Sequence, residues 1–516
     1  MTASRCLAVC RWLTAVSLTA YCLWRGFVAA SAYLGSADAY AYLAEWRSAA
    51  RNAPTGRLAL LCNDEKVVAP IDRSRLIAAA WERAPDRLSL VDGAGEPGEA
   101  DGILSSAWHS PSAGRRLEAL GYVVVSTNEY VKTWAKTGAV RPDGRAASSP
   151  ASLPRELLAL LLEFLAMIAV FWFAAGRRRI AWQSSVAAVL VVATLGCVAL
   201  SHPLLPPNGL GVYGGKAKLW FLCGGLPDGF MASDGGAVLQ PAYPPGLTAL
   251  AYLHFVLSGG CGDRLVQLLV VFAAGLLCLV LTSGARSLRA LLPAALFCVS
   301  PVAVRLTSGF NAEPFAALLL VLGWRTMRGG RLPAGALIMG LAGIFRPEAG
   351  VAAALFAVCG CSFRSNLCMK LVGVVTAAVP TLLWIAICRS LGSGGLADWN
   401  IAMMPRLGQV ISAALAVLDA LWKLAIPAFA LLFLVQPARR KACRREVLLA
   451  FVPVALLCCA IPLACGFYDA PYANWMIGNT VPRLVWYLLP VPLFAVACPA
   501  SGCVHPLRAE GRPFVE

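Results

Sequence analysis

The segment Asn208–Gly246, NGLGVYGGKAKLWFLCGGLPDGFMASDGGAVLQPAYPPG, decides how the rest of the chain is read. From Leu157 onward it is the longest non-apolar interruption of a hydrophobic sequence. It sets Lys216, Lys218, Asp228 and Asp234 between apolar runs long enough to cross a bilayer. KAKLWFL reads as a short amphipathic helix lying at a membrane surface. Proline suits the first turn of a helix, so YPPG closes the loop and opens the next apolar helix. A polar loop held between two spans is a place where a membrane enzyme would gather substrates, although an ordinary connection explains the same residues.

Working outward, 59% of the 516 residues are hydrophobic and 14% are charged, where soluble domains carry about a quarter charged residues. Several runs exceed the roughly 18 apolar residues of a transmembrane helix, so the chain is expected to be a mainly α, polytopic membrane bundle. The formal charge of +17 does not point to nucleic acid. Its arginines gather in short loops, as at Arg177–Arg179, Arg325/Arg328/Arg331 and Arg439–Arg445, the pattern that sets orientation in a membrane. The 19 cysteines sit mostly inside apolar runs, where cysteine packs as a small hydrophobe. No disulfide framework and no metal spacing emerge.

Met1–Arg11 is short and basic, and Trp12–Leu34 is largely apolar. The run is longer than a signal peptide's apolar core and holds Trp12, Tyr21, Trp24 and Arg25, so it reads as an uncleaved first span with a cytoplasmic N-terminus. Residues 36–154 have the charge density of a soluble domain. Strands are expected at 57–63, 87–92, 101–106 and 121–126, with helices at 73–83 and 113–120, which makes a small α/β domain with a largely parallel sheet. Residues 141–154 link it back to the membrane. Further spans are expected near 157–175, 180–201, 264–283, 287–308, 313–327, 332–345, 349–363, 369–388, 420–436, 446–465 and 482–498, about twelve with the first. Leu247–Leu257 is too short to cross alone and reads as re-entrant or interfacial. Residues 155–500 then form the membrane domain, with an outer loop at 202–246 and a cytoplasmic tail at 501–516. Both termini are cytoplasmic, the protein lies in the cytoplasmic (inner) membrane, and the α/β domain and outer loop face the other side.

Ionisable groups beside spans are costly unless they face protein or water. Asp263-Arg264, Glu313, Arg346, Glu348 and Arg483 all fall at span ends on the face opposite the basic loops. Singly, each is explained by anchoring or ion pairing. As a set around a loop with two lysines they suit an anionic substrate, because arginine's planar fork matches phosphate geometry.

These segments, in this order, resemble the GT-C superfamily of integral-membrane glycosyltransferases, which includes protein O-mannosyltransferases and the lipid A aminoarabinose transferase. The resemblance runs from Ala181 to Pro499. In NGLGVYGGKAK, Tyr213 and Lys216-Ala217-Lys218 stand where bacterial relatives carry an aromatic and then Lys-Ala-Arg/Lys. QPAYPP supplies Tyr243 and Pro244. GDRLVQLL (262–269) is similar to the start of the following span. NAEPFAALLLVLGW (311–324) and GLAGIFRPEAG (340–350) are similar to the family's Ala-Glu and basic-Pro-Glu-Gly segments. DAPYANWMIGNTVPRLVWYLLP (469–490) is similar to the closing segment, whose arginine falls at Arg483.

The resemblance implies transfer of a sugar from a polyprenyl-phosphate donor to an extracytoplasmic acceptor. Membrane lipid, the lipid-linked sugar and an unidentified acceptor are the partners, and substrate contacts are expected at Tyr213, Lys216, Tyr243, Glu313, Arg346, Glu348 and Arg483. A loop carboxylate would activate or position the acceptor hydroxyl. Asn208 stands at that aspartate's position, and Ala242 replaces the aspartate before Tyr-Pro. An amide cannot take a proton at neutral pH, so Asp228 or Asp234, set among glycines, is expected to serve instead. No cofactor is singled out, and a divalent metal is left open. Two alternatives remain. Asn208 and Ala242 favour a non-catalytic relative acting as a binding scaffold. A transporter of a lipid-linked or anionic substrate is the other, although no internal repeat or matched pair of interrupted helices marks one.

Overall fold

The computed structural model describes residues 13–25, 27–28, 48–50, 53, 58–61, 88–91, 102–106, 117–120, 122–127, 131–136, 152–175, 181–202, 204, 208–226, 243–283, 288–361, 367–391, 405–435, 444–468, 473–474 and 476–497. Asp228, Asp234, Ala242, both termini and the expected helix at 73–83 lie outside them.

Five short strands form one sheet: β1 (Leu58–Leu61), β2 (Leu88–Val91), β3 (Gly102–Ser106), β4 (Tyr122–Thr127) and β5 (Val131–Lys136), in the order β2-β1-β3-β5-β4. β1 runs parallel to β2 and β3, while β5 pairs antiparallel with β3 and β4. The sheet is therefore mixed rather than largely parallel. VKTWAK, too polar to read as a strand from its composition, is the element that inserts between β3 and β4. Ile103, Tyr122 and Thr133 are buried in it.

The rest of the described chain is helical. The helices are α1 (13–25), α2 (Leu153–Ala175), α3 (Trp182–Leu200), α4 (Gly214–Cys223), α5 (Gly246–Ser258), α6 (Leu268–Thr282), α7 (Leu288–Cys298), α8 (Pro301–Ser308), α9 (Glu313–Arg328), α10 (Leu332–Gly340), α11 (Pro347–Cys361), α12 (Leu367–Ser390), α13 (Leu407–Ala420), α14 (Ile426–Val435), α15 (Arg444–Gly466), α16 (Val481–Leu488) and α17 (Pro490–Ala497). Among the described residues, six helical segments are long and apolar enough to cross a membrane: 182–200, 265–282, 368–390, 407–432, 446–466 and 476–497. A seventh is reached if α7 and α8, bent by 47° at their junction, count as one broken span. The segments expected at 332–345 and 349–363 are shorter apolar helices, because the chain turns at Phe345-Arg346 and restarts on Pro347. The span expected at 420–436 is longer. It begins at Leu407 and passes through a π-helical turn at Leu421–Ala425.

Burial sorts these elements. α6 and the 476–497 segment are enclosed, whereas α12 and α15 leave most of their residues unburied. That inversion is expected where the solvent is hydrocarbon. α9 sits in the middle and packs against α6, α10, α16 and α17. Its approach to α10 is close: a Cβ on Gly335 would come within 2.7 Å of the Gly323 carbonyl oxygen. Small residues let helices meet at backbone distance, which supplies dispersion where no hydrophobic effect operates. α5 is pinned to α2 by a buried pair, His254 Nδ1 to Glu163 Oε2 at 3.0 Å.

Candidate functional site

The site is built at one end of α9. Ala312-Glu313-Pro314 opens that helix, with an acid and a proline in its first turn, and Arg325 and Arg328 close it. This charge order complements the helix dipole. Glu313 is fully buried. Its Oε1 accepts from Arg483 Nε at 2.8 Å and contacts Arg483 Nη2, and Arg346 Nη1 lies 3.6 Å away. Arg483 comes from the first turn of α16, which Pro482 starts. Arg346 comes from the turn between α10 and α11.

Arg346 is the hub. Its Nη2 donates to Glu348 Oε1 at 3.3 Å, its Nη1 donates to the Tyr243 hydroxyl, and its guanidinium lies 5.5 Å from the Tyr243 ring centroid. Tyr243 in turn packs edge-on against Tyr213 at 5.8 Å, and Tyr213 against Phe310 at 6.4 Å. Lys216 Nζ donates to the Tyr243 carbonyl oxygen at 3.0 Å. Tyr213, Lys216, Tyr243, Glu313, Arg346, Glu348 and Arg483 thus meet in one contact network. Glu313 Oε2, Arg346 Nε and Glu348 Oε2 are buried atoms without a hydrogen-bond partner. An orphaned polar atom in a dry cleft costs about 1–3 kcal/mol, so these three point to a ligand with its own donors and acceptors.

Two features differ from the sequence reading. KAKLWFL forms a helix, but its lysines do not face water. Lys216 is 1% and Lys218 7% exposed, while Leu222 and Cys223 at the far end are exposed. α4 packs against α5, so its polar end looks into the protein. Burial lowers the Lys216 amine to about 7, and the nearby Cys388 works weakly in the other direction. Burial also lifts the Tyr213 hydroxyl to about 12. The second feature is Asn208, whose Nδ2 donates to Asn311 Oδ1 at 2.6 Å. Asn311 Nδ2 donates onward to the Leu306 carbonyl at 3.1 Å. Asn208 is therefore a clasp between the loop and the α8–α9 connection. That connection is strained: Phe310, fully buried, has φ +49°, a left-handed conformation unusual for a bulky residue. Asn311 and Phe310 were not among the expected contacts. The signal for them was NAEP itself, a polar pair just before a helix-starting proline.

Gly246 fixes the loop's exit. A Cβ there would come 2.7 Å from the Ile344 carbonyl oxygen and 2.9 Å from the Phe345 ring. Gly246→Ala is expected to destabilise the protein by about 1–3 kcal/mol and to displace Tyr243 from Arg346. A thermal melt in detergent checks this, and an unchanged melting temperature would show that the close packing is dispensable.

Lys216 would make the binding of any anion at this site pH-dependent. The ordinary lysine value of 10.5 falls to about 7 in the fold, so the amine is charged below pH 7 and neutral above it. An anion that needs the ammonium should bind up to about tenfold more weakly per pH unit above 7, and Lys216→Met should flatten that profile. The same shift makes stability rise between pH 7 and 10.5, because there the unfolded chain holds the extra proton. A pH series of binding isotherms tests the first, and thermal melts over the same pH range test the second.

Among the described residues no three His, Cys, Asp or Glu side chains gather as a metal site. Comparison with models of protein families, with curated proteins and with solved structures finds no match for this chain.

Proposed function

We propose that the chain is a membrane glycosyltransferase of GT-C type, which moves a sugar from a polyprenyl-phosphate donor to an extracytoplasmic acceptor. The observation that carries the reading is the convergence of Lys216, Arg346 and Arg483 with two carboxylates and two tyrosines at the end of one buried helix. The basic groups are donors for a lipid phosphate. Tyr213 and Tyr243 offer an aromatic wall for a sugar ring. Glu313 is committed to two guanidiniums, which makes it a poor base and a good strut. Glu348 is different: its side chain is 40% exposed, one oxygen rests on Arg346 and the other has no partner. In the proposed reaction the acceptor hydroxyl gives its proton to Glu348 as its oxygen bonds to the anomeric carbon. The bond from that carbon to the phosphate oxygen breaks, and its electron pair stays on the lipid phosphate, held by the basic groups. Asp228 and Asp234 remain the loop carboxylates that would take this role if Glu348 does not.

The topology belongs to the same reading. α9 carries the site at its first turn and Arg325 and Arg328 at its last, roughly 18–22 Å apart along the axis. Placing the basic end in the cytoplasm puts the site outside, with about twelve spans in all, both termini inside and residues 36–154 as an extracytoplasmic α/β domain in the inner membrane's outer space. A reporter that is active only in the cytoplasm, fused after Gly138, is expected to be silent. A strong signal would invert the orientation and remove the site from the outer face.

One observation favours a second reading. Asn208 is hydrogen-bonded to Asn311 and cannot act as a base, so a non-catalytic relative that binds the lipid-linked sugar fits the loop equally well. Activity appearing only in Asn208→Asp would select it. The test of the main reading is incorporation of sugar from a polyprenyl-phosphate donor by the purified protein.

A further inference from the structure

Away from this cluster, a partly open cleft lies between α1, the α7–α8 bend and the α13–α14 segment. None of its lining residues belongs to the network around Arg346. Its existence follows from two interruptions that face each other. On one wall α7 stops, Ser300 caps α8 by accepting from the Ala303 amide at 3.4 Å, Pro301 starts that helix, and the axis turns by 47°. On the other wall Leu421–Ala425 is a π-helical turn, and Pro427 follows it without an amide donor. Helices broken at the same level cannot seat ridges into grooves along their length, and irregular backbone within a membrane is tolerated where it lines a cavity.

The chemistry of the lining is divided. Leu296, Phe297, Leu424 and Leu431 are apolar, while Arg25 and Lys423 are cationic. Arg25 stands in an apolar helix. Its Nη1 donates to the Tyr21 hydroxyl at 2.9 Å, and its guanidinium lies 5.7 Å from that ring's centroid. Among the described residues no carboxylate pairs with it. A guanidinium on an apolar helix is costly in hydrocarbon unless it meets an anion or reaches water. Lys423 pairs with Asp419 at 2.6 Å, but both side chains are about half exposed. Such an exposed pair contributes little and exchanges readily for a better anion.

We infer that this cleft binds an anionic glycerophospholipid, with one acyl chain against Leu296, Phe297 and Leu431 and the phosphate between Arg25 and Lys423. The apolar wall excludes a free phosphate as the natural occupant, because a small anion would leave that wall dry and unfilled. The two cations select against a zwitterionic lipid, whose ammonium would be held beside them. The lipid would tie α1 to α7 and α14 across a gap that protein side chains leave open.

Native mass spectrometry of the full chain, released from membranes with equal phosphatidylglycerol and phosphatidylcholine, tests this. Wild type is expected to retain one phosphatidylglycerol through activation. The pair Arg25→Gln with Lys423→Gln should weaken that retention roughly tenfold, the scale of a lost charge-assisted hydrogen bond, while Arg439→Gln leaves it unchanged. Phosphatidylglycerol should raise the melting temperature of wild type and not of the pair, and inorganic phosphate should raise neither. Because neutralising Arg25 can disturb insertion, Ala428→Phe gives a second route: it fills the apolar part, keeps both charges and should also release the lipid. Equal retention of phosphatidylcholine, or undiminished retention of phosphatidylglycerol in both variants, overturns the inference. Retention of polyprenyl phosphate in preference to phosphatidylglycerol overturns it too and makes the cleft an extension of the donor site.

Discussion

Arg483→Ala is expected to cost about 3–5 kcal/mol of stability and to abolish binding of a polyprenyl-phosphate sugar. Glu313 is wholly buried, and Arg483 supplies its two nearest donors, with Arg346 next at 3.6 Å. Removing Arg483 leaves a carboxylate in a dry interior with one distant counter-charge. Breaking a buried pair on one side costs far more than the pair contributes as a whole. The double variant Glu313→Gln with Arg483→Met removes both charges, so it should recover most of the melting temperature. It should not recover donor binding, because the phosphate has then lost its guanidinium. Arg439→Ala, in the basic loop, should change neither. If the double variant regains both stability and binding, Arg483 is only an anchor for Glu313.

Glu348→Gln is expected to lower sugar transfer by roughly 10²–10⁴-fold, the usual loss when a general base is removed. The amide keeps the size of the side chain and can still accept from Arg346, so donor binding should stay within a small factor. Single-turnover transfer with saturating donor measures the effect directly. Undiminished transfer in Glu348→Gln moves the role to Asp228 or Asp234, and Asp228→Asn and Asp234→Asn then separate the two.

The members of the site were legible because charge is expensive beside a span. Glu313, the Arg346–Glu348 pair and Arg483 lie far apart in sequence but all at the ends of apolar runs, and the structure places them in contact. The orientation of α4 was not legible. KAKLWFL tells which side chains are polar, not whether the polar end meets water or a protein interior, and both lysines proved buried. Nor was the Asn208–Asn311 clasp, which joins residues 103 apart through short amides that read singly as turn formers. The buried Glu163–His254 pair was missed for the same reason, since α2 reads as a plain apolar span and α5 as an apolar stub. In the fold, the run of α12 was read nearly to its ends and the break before Pro347 to within two residues, but hydropathy counted the helices on either side of that break as spans, and they are shorter than that. β5 escaped because VKTWAK, with two lysines and a threonine in six residues, is too polar to read as a strand from its composition.

The central claim is that Lys216, Arg346 and Arg483 hold a lipid-linked phosphate. Its most direct test is titration of bare polyprenyl monophosphate into the protein in nanodiscs at pH 6.5, with phosphatidic acid as the control lipid. Saturable binding is expected, tighter than that of phosphatidic acid, competed by a polyprenyl-phosphate sugar and lost in Arg346→Gln with Arg483→Gln. Binding no tighter than that of phosphatidic acid, or equal in wild type and the paired variant, would contradict the account.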